Sequence, residues 1–116
     1  MDTSIATQTL VTLRQQTPAP LVIDVRREAV FKTAPDLIAG AVRQDPATIG
    51  EWAGKIRNNA PVVVYCVHGH EVSQNAAKVL RERGLNAKFL EGGIEAWRAA
   101  GGDLAANANT GPQEPA

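Results

Sequence analysis

The sequence has little cysteine, few aromatic residues and no net charge, and these shortages exclude several classes of protein. One cysteine among 116 residues rules out an intrachain disulfide, which fits a reducing compartment. Twelve basic and twelve acidic residues cancel, so no overall field attracts nucleic acid or an anionic membrane. The N-terminus, MDTSIATQTLVTLRQQ, has no apolar run long enough for a signal peptide or a membrane span. We therefore expect a cytoplasmic monomer that binds neither nucleic acid nor membrane.

What is present fits one compact globular domain. Hydrophobic residues make up 44% of the chain and charged residues 21%. Three β-rich runs stand out, LVIDV at 21–25, VVVY at 62–65 and AKFL at 87–90. The first two are continuously apolar, as in strands that are buried on both faces of a parallel sheet.

Helical patterns lie between and around these strands. One begins near Thr7, and a second follows Asp45 and Pro46. A third ends at Gly84, and the last, IEAWRAA, ends at Gly101. Alternating strands and helices predict a three-layer α/β domain with a mostly parallel sheet. At helical spacing, Trp52 and Trp97 are more readily explained as core residues than as substrate platforms.

The segment after Gly101, GDLAANANTGPQEPA, is poor in large apolar residues. Such a segment buries too little surface to offset the entropy lost on ordering. We therefore predict a folded domain over residues 1–101 and a flexible C-terminal tail over 102–116.

The single cysteine, Cys66, falls where the buried run VVVYC meets a loop. In open parallel sheets, ligands bind at this carboxyl edge, where loop amides and helix N-termini converge. An ordinary thiol is only about 3% thiolate at pH 7, and the thiolate is the nucleophile. Backbone N–H groups and a following helix would stabilise that anion, and Gly69 would let the loop curl inward. The position predicts a reactive cysteine.

Two other interpretations of this stretch remain open. Cys66 can simply extend the apolar core, since free cysteine is among the most buried residue types. Alternatively, Cys66, His68 and His70 form a C-x-H-x-H cluster that a carboxylate or water would complete as a metal site. Glu71 is either a solvated loop carboxylate or a proton donor and acceptor beside a substrate.

Three further pieces of sequence resemble the rhodanese family over about residues 1–101. LVIDVR at 21–26 is similar to the family's first motif, in which an aspartate and an arginine follow a buried strand. LIAGA at 37–41 occupies the place of a His-Ile-Pro-Gly-Ala-like segment, and LEGGIEAWRAAG at 90–101 is close to the C-terminal Gly-Gly-x-x-x-Trp signature. The resemblance implies a rhodanese-like three-layer α/β domain with a central, mostly parallel five-stranded sheet.

The resemblance also implies a sulfurtransferase that needs no cofactor or metal. Cys66 would take sulfane sulfur from thiosulfate or a persulfide, and a thiol or cyanide would accept it. The loop would bind the substrate through Val67, His68, Gly69, His70, Glu71 and Val72. Asp24, Arg26 and Ser73 would support that loop, and Arg26 would either brace it or add positive potential.

The loop departs from the common rhodanese pattern in length. The pair Ala76–Ala77, which resembles a pair in the family's next helix, lies one position further on, so the loop is predicted to span seven residues, 66–72. That length resembles the phosphatase and arsenate-reductase branch of the superfamily. Their defining arginine would fall at Val72, which offers neither charge nor donor. Arsenate or chromate reduction by Cys66, and a non-catalytic soft-metal or sulfur-binding module, are the alternative functions.

Overall fold

The computed structural model describes residues 3–56 and 60–107. Seven strands and five helices follow one another along these residues, with short 3₁₀ turns at Pro46–Thr48 and Ala53–Lys55 on either side of the third helix. In chain order the elements are β1 (Ser4–Ile5), α1 (Thr7–Leu13), β2 (Leu21–Asp24), α2 (Glu28–Phe31), β3 (Asp36–Ile38), β4 (Val42–Arg43), α3 (Ile49–Trp52), β5 (Val62–Tyr65), α4 (Glu71–Glu82), β6 (Ala87–Leu90), α5 (Gly93–Ala99) and β7 (Leu104–Ala106). Among the described residues, no helix is both long and apolar enough to cross a membrane.

The main sheet has five strands in the order β1-β6-β5-β2-β4, and every neighbouring pair is parallel. The three strands expected from sequence occupy its centre, so the predicted α/β sheet is confirmed. The edge strands β1 and β4 contain two residues each, too few for a recognisable pattern. Parallel strands that end at one edge bring the residues after β2 and β5 together.

Alternate side chains of β5 enter two separate cores, which explains why VVVY is continuously apolar. Val62 and Val64 belong to one core together with residues of α3 and α4. Val63 and Tyr65 belong to the other, with residues of α1 and α5. Both tryptophans are buried, as predicted, and each indole N–H donates to a backbone carbonyl. The sheet is therefore covered on both faces, and its carboxyl edge stays open for a site.

The segment just after Gly101 differs from the predicted flexible tail. β7 pairs antiparallel with β3, and the Asn107 side chain donates to the carbonyls of Phe31 and Ala34 at 2.8 and 3.0 Å. The Trp97 indole also donates to Asp103 O at 2.8 Å. These hydrogen bonds and the packing of Leu104 against the core around Trp97 hold this segment, and low apolar content does not reveal them. Residues 108–116 of the predicted tail lie outside the described residues.

An ion pair joins β3 to α5. The Arg98 guanidinium donates to both carboxylate oxygens of Asp36, at 2.5 and 2.9 Å. These hydrogen bonds, helped by the charges of Arg98 and Arg26 and opposed by burial, lower the pKa of Asp36 below its ordinary value of 3.8. A carboxylate whose pKa is lower in the folded than in the unfolded state stabilises the fold at any pH above its unfolded-state pKa. That stabilisation is lost as the pH falls through its folded-state pKa.

We expect Asp36→Asn to reveal this pair as a pH-dependent stability difference. At pH 7 the variant should lose about 0.2–1 kcal/mol of unfolding free energy, because the pair is half-exposed and screened. The gap should close as pH falls below 3.8, where the unfolded carboxyl and then the folded carboxyl become protonated. Urea unfolding of both proteins between pH 7 and pH 2.5 measures it. A gap that stays constant or widens in acid would contradict the assignment.

Candidate active site

Cys66 follows the last residue of β5 and is buried, with 7% of its surface exposed. The short segment Val67–His70 leads from it into α4, whose first residue is Glu71. Glu71 and Val72, predicted as the end of the loop, therefore form the first turn of this helix. The strand places the thiol at the carboxyl edge of the sheet, beside a 12-residue helix whose N-terminus carries partial positive charge.

The Cys66 thiol donates to Ser73 Oγ at 3.1 Å, and Ser73 is fully buried. Ser73 is the third residue of α4 and can also donate to His70 O at 3.5 Å. A serine hydroxyl both accepts and donates, so Ser73 can accept from the thiol or donate to the thiolate. Ser73, predicted to support the loop, thus contacts the thiol directly, and its role stays a prediction.

Backbone N–H groups are concentrated in the loop after Cys66 and in the first turn of α4. Among the described residues, the N–H groups of residues 67–73 donate to no protein acceptor. The carbonyls of Cys66 and Val67, by contrast, accept from the amides of Ile94 and Glu95 in α5, at 2.9 and 3.1 Å. In a trans peptide the N–H points opposite to the C=O, so the amides of Val67 and His68 point away from α5. Unpaired N–H groups at a helix N-terminus form an anion-binding site.

Two glycines make this close approach of loop and α5 possible. Gly69 has φ +74°, and a Cβ there would lie 2.7 Å from Gly92 N and 2.8 Å from Leu90 O. Gly93 has φ +60°, and its Cβ would overlap the carbonyl oxygens of Cys66 and Val67. Any other residue would be strained in this backbone region and would push the two segments apart. The GG of LEGGIEAW therefore shapes the cysteine loop.

A buried ion pair between Asp24 and Arg26 lies beside the site. The Arg26 side chain donates to both oxygens of Asp24, at 2.6–3.1 Å, and to Asp36 O at 2.8 Å. The Tyr65 hydroxyl donates to Asp24 at 2.8 Å and accepts from the Ile38 amide at 3.0 Å. Burial, together with the charge of Asp24, raises the pKa of Tyr65, so its hydroxyl stays protonated. Asp24 thus contacts β5 through Tyr65, and Arg26 contacts β3 through the carbonyl of Asp36; their support of the cysteine loop stays a prediction.

A cavity of about 250 Å³ opens beside the thiol. A larger groove of about 840 Å³ runs along α4 and β6 but is lined by neither the cysteine nor the loop before Glu71, so the smaller cavity is the one that a reaction at the thiol would use. Sequence reasoning missed two wall residues, Arg27 and Val30, because their exposed positions after β2 carry no pattern. The lining residues are Arg26, Arg27, Val30, Cys66, Val67, His68, His70, Glu71 and Val72.

The structure does not assemble the alternative metal cluster. Over residues 3–56 and 60–107, no three His, Cys, Asp or Glu side chains are arranged to hold a metal ion. The rings of His68 and His70 lie 5.9 Å apart at an interplanar angle of 35°, and both residues are exposed. Both histidines line the cavity beside Cys66, so their side chains are available to a bound substrate.

Known proteins resemble this chain in sequence and in fold. The thiosulfate sulfurtransferase GlpE of Pseudomonas fluorescens (strain SBW25) is 36% identical over 87 residues, covering 74% of this chain and 75% of the relative. GlpE of Coxiella burnetii (strain RSA 493) is 35% identical over 80 residues, covering 68% and 72%. The crystal structure of a rhodanese-related protein from Thermoplasma volcanium has a TM-score of 0.75 at 26% identity, covering 88% of this chain and 96% of that one.

A fourth comparison concerns the fold alone. A protein of unknown function from Rhodopseudomonas palustris, described as a possible tyrosine phosphatase, has a TM-score of 0.71 at 23% identity, covering 90% of this chain and 85% of that one. The rhodanese-like domain family itself matches residues 7–100. This range contains all of the cysteine loop and every strand of the five-stranded sheet except β1. This chain belongs to the rhodanese-like domain family.

Proposed function

We propose that the protein is a sulfurtransferase that moves sulfane sulfur from thiosulfate or a persulfide donor to a thiol, or to cyanide in an assay, through a Cys66 persulfide. One observation carries the proposal: the buried thiol lies beside seven consecutive backbone N–H groups, residues 67–73, that have no acceptor among the described residues. Membership of the family and relatives named thiosulfate sulfurtransferase support sulfur transfer in general.

The first step charges the cysteine. The Cys66 thiolate attacks the outer sulfur of thiosulfate, and the new S–S bond forms as the S–S bond of thiosulfate breaks. Its electron pair leaves with sulfite, so thiolate and thiosulfate dianion become a persulfide anion and a sulfite dianion. Unpaired amides stabilise the anionic sulfur because they are already oriented and need no reorganisation. The Ser73 hydroxyl, 3.1 Å from Sγ, donates to the thiolate before attack.

The second step removes the sulfur from the Cys66 persulfide. An acceptor thiolate attacks the terminal sulfur of the persulfide, and the electron pair of the breaking S–S bond returns to Cys66 Sγ. The products are an acceptor persulfide and the regenerated Cys66 thiolate, so no electrons enter or leave the system. Cyanide would give thiocyanate in the same way. The enzyme is therefore expected to follow ping-pong kinetics.

Turnover of the unmodified protein tests this function. Thiosulfate and cyanide should yield thiocyanate with parallel double-reciprocal lines, and a persulfide donor should replace thiosulfate. The same preparation is assayed for glutathione-dependent reduction of arsenate and of chromate, where we expect no turnover. Absence of sulfur transfer from every donor would overturn the proposal, and oxyanion reduction in its place would establish the alternative chemistry of Cys66.

A further inference from the structure

The cavity beside Cys66 has two arginines in its wall, and they differ in their contacts with the other described residues. Arg26 is buried, its Nε and Nη2 donate to Asp24, and Nη2 also donates to the carbonyl of Asp36. Arg27 lines the same cavity from the exposed position before α2. Among the described residues, its guanidinium has no hydrogen-bond or ion-pair partner.

The other charges on the cavity wall explain why Arg27 matters for an anionic substrate. The segment from Val67 to Ser73 contains no lysine or arginine, and Glu71 adds a negative charge at the mouth. The charge of Arg26 is compensated by Asp24 at 2.6 Å. An anionic substrate that enters this cavity therefore meets one uncompensated permanent cation among the lining residues. A guanidinium presents paired N–H donors in a fork that matches two oxygens of an oxyanion.

We propose that Arg27 binds the sulfonate end of thiosulfate, or of another anionic thiosulfonate donor, while the outer sulfur faces Cys66. This assignment rests on the proposed sulfur transfer. As the S–S bond breaks, negative charge collects on the departing sulfite, and Arg27 is placed to bind that group before and during departure. An alkyl persulfide has no sulfonate oxygens at its leaving end, so it cannot accept the paired hydrogen bonds of the guanidinium and gains less from it. Arg27 therefore determines donor selectivity.

The test compares two donors on Arg27→Gln: thiosulfate and the persulfide of 2-mercaptoethanol, each with cyanide as acceptor. The ratio of kcat/KM for thiosulfate to kcat/KM for the persulfide should fall about tenfold to a hundredfold, the range expected for a lost hydrogen bond to a charged group. Most of the fall should come from a higher KM for thiosulfate. Arg27→Lys keeps the charge without the fork and should give an intermediate ratio. The dependence of the thiosulfate rate on salt should weaken in Arg27→Gln.

Arg83→Gln is the matched control. It makes the same chemical change on an exposed arginine at the far end of α4, about 18 Å along the helix from the cysteine loop. Its donor ratio should equal that of the parent. If Arg27→Gln shifts the ratio no more than Arg83→Gln does, the assignment of Arg27 is overturned while sulfur transfer stands. If the parent accepts sulfur from neither donor, the proposed function itself is overturned.

Discussion

Replacing Cys66 by serine is expected to abolish sulfur transfer, with thiocyanate formation falling by about a thousandfold or more. A serine hydroxyl is not ionised at neutral pH and does not form a stable persulfide, so neither half of the reaction remains. The fold should survive, because the substitution replaces one small side chain by another of similar shape. Thiocyanate release from thiosulfate and cyanide measures the loss, and urea unfolding verifies the fold.

Ser73→Ala is the graded control for this result. It removes the hydroxyl 3.1 Å from Sγ but leaves the thiol and the backbone amides of residues 67–73 in place. We expect about a tenfold loss of kcat/KM, the worth of one hydrogen bond to an anion. Substantial thiocyanate formation by Cys66→Ser would remove Cys66 from the mechanism, whatever the behaviour of Ser73→Ala.

Replacing Asp24 by asparagine is expected to lower the free energy of unfolding by about 3–5 kcal/mol, because it leaves a buried guanidinium without its counter-charge. Asp24 is fully buried, Arg26 is 3% exposed, and Asp24 holds both Arg26 and Tyr65. Since small domains are stable by only about 5–15 kcal/mol, the variant should be visibly destabilised in urea. The cysteine loop should lose activity with it, since Arg26 forms part of the cavity wall.

Two further variants separate charge burial from general damage. Asp36→Asn makes the same change in a half-exposed pair and should cost no more than about 1 kcal/mol. Asp24→Asn combined with Arg26→Met removes both charges and should be more stable than Asp24→Asn alone, because no unpaired charge stays buried. The assignment would be contradicted if Asp24→Asn lowered the free energy of unfolding as little as Asp36→Asn does. It would also be contradicted if the double variant were less stable than Asp24→Asn alone.

Much of this architecture is predictable from sequence, because apolar patterns report burial. Continuous runs such as 62–65 identify strands covered on both faces, and the spacing of Trp52 and Trp97 identifies helices that pack on them. The position of Cys66 follows from the same logic, because the residue after a buried parallel strand must lie at the carboxyl edge.

The rest depends on contacts that no local pattern encodes. β7 is held by pairing with β3 and by the amide of Asn107, which bonds to carbonyls more than 70 positions earlier in the chain. The same holds for Arg27: exposed arginines are common on protein surfaces, and only the folded structure shows that this one faces the cavity beside Cys66. Exposed side chains leave no periodic signal in the sequence, so only the three-dimensional structure places Arg27 beside the cysteine.

Cys66 is expected to carry the transferred sulfur, and intact mass spectrometry detects that sulfur on the protein itself. The purified protein, incubated with thiosulfate and freed of excess donor, should gain the mass of one sulfur atom, located on Cys66 by fragmentation. Cyanide should remove that mass and release an equivalent of thiocyanate, and Cys66→Ser should show no gain. An unchanged mass with thiosulfate and with persulfide donors, or an added sulfur at another residue, would contradict the assignment of Cys66 as the sulfur carrier.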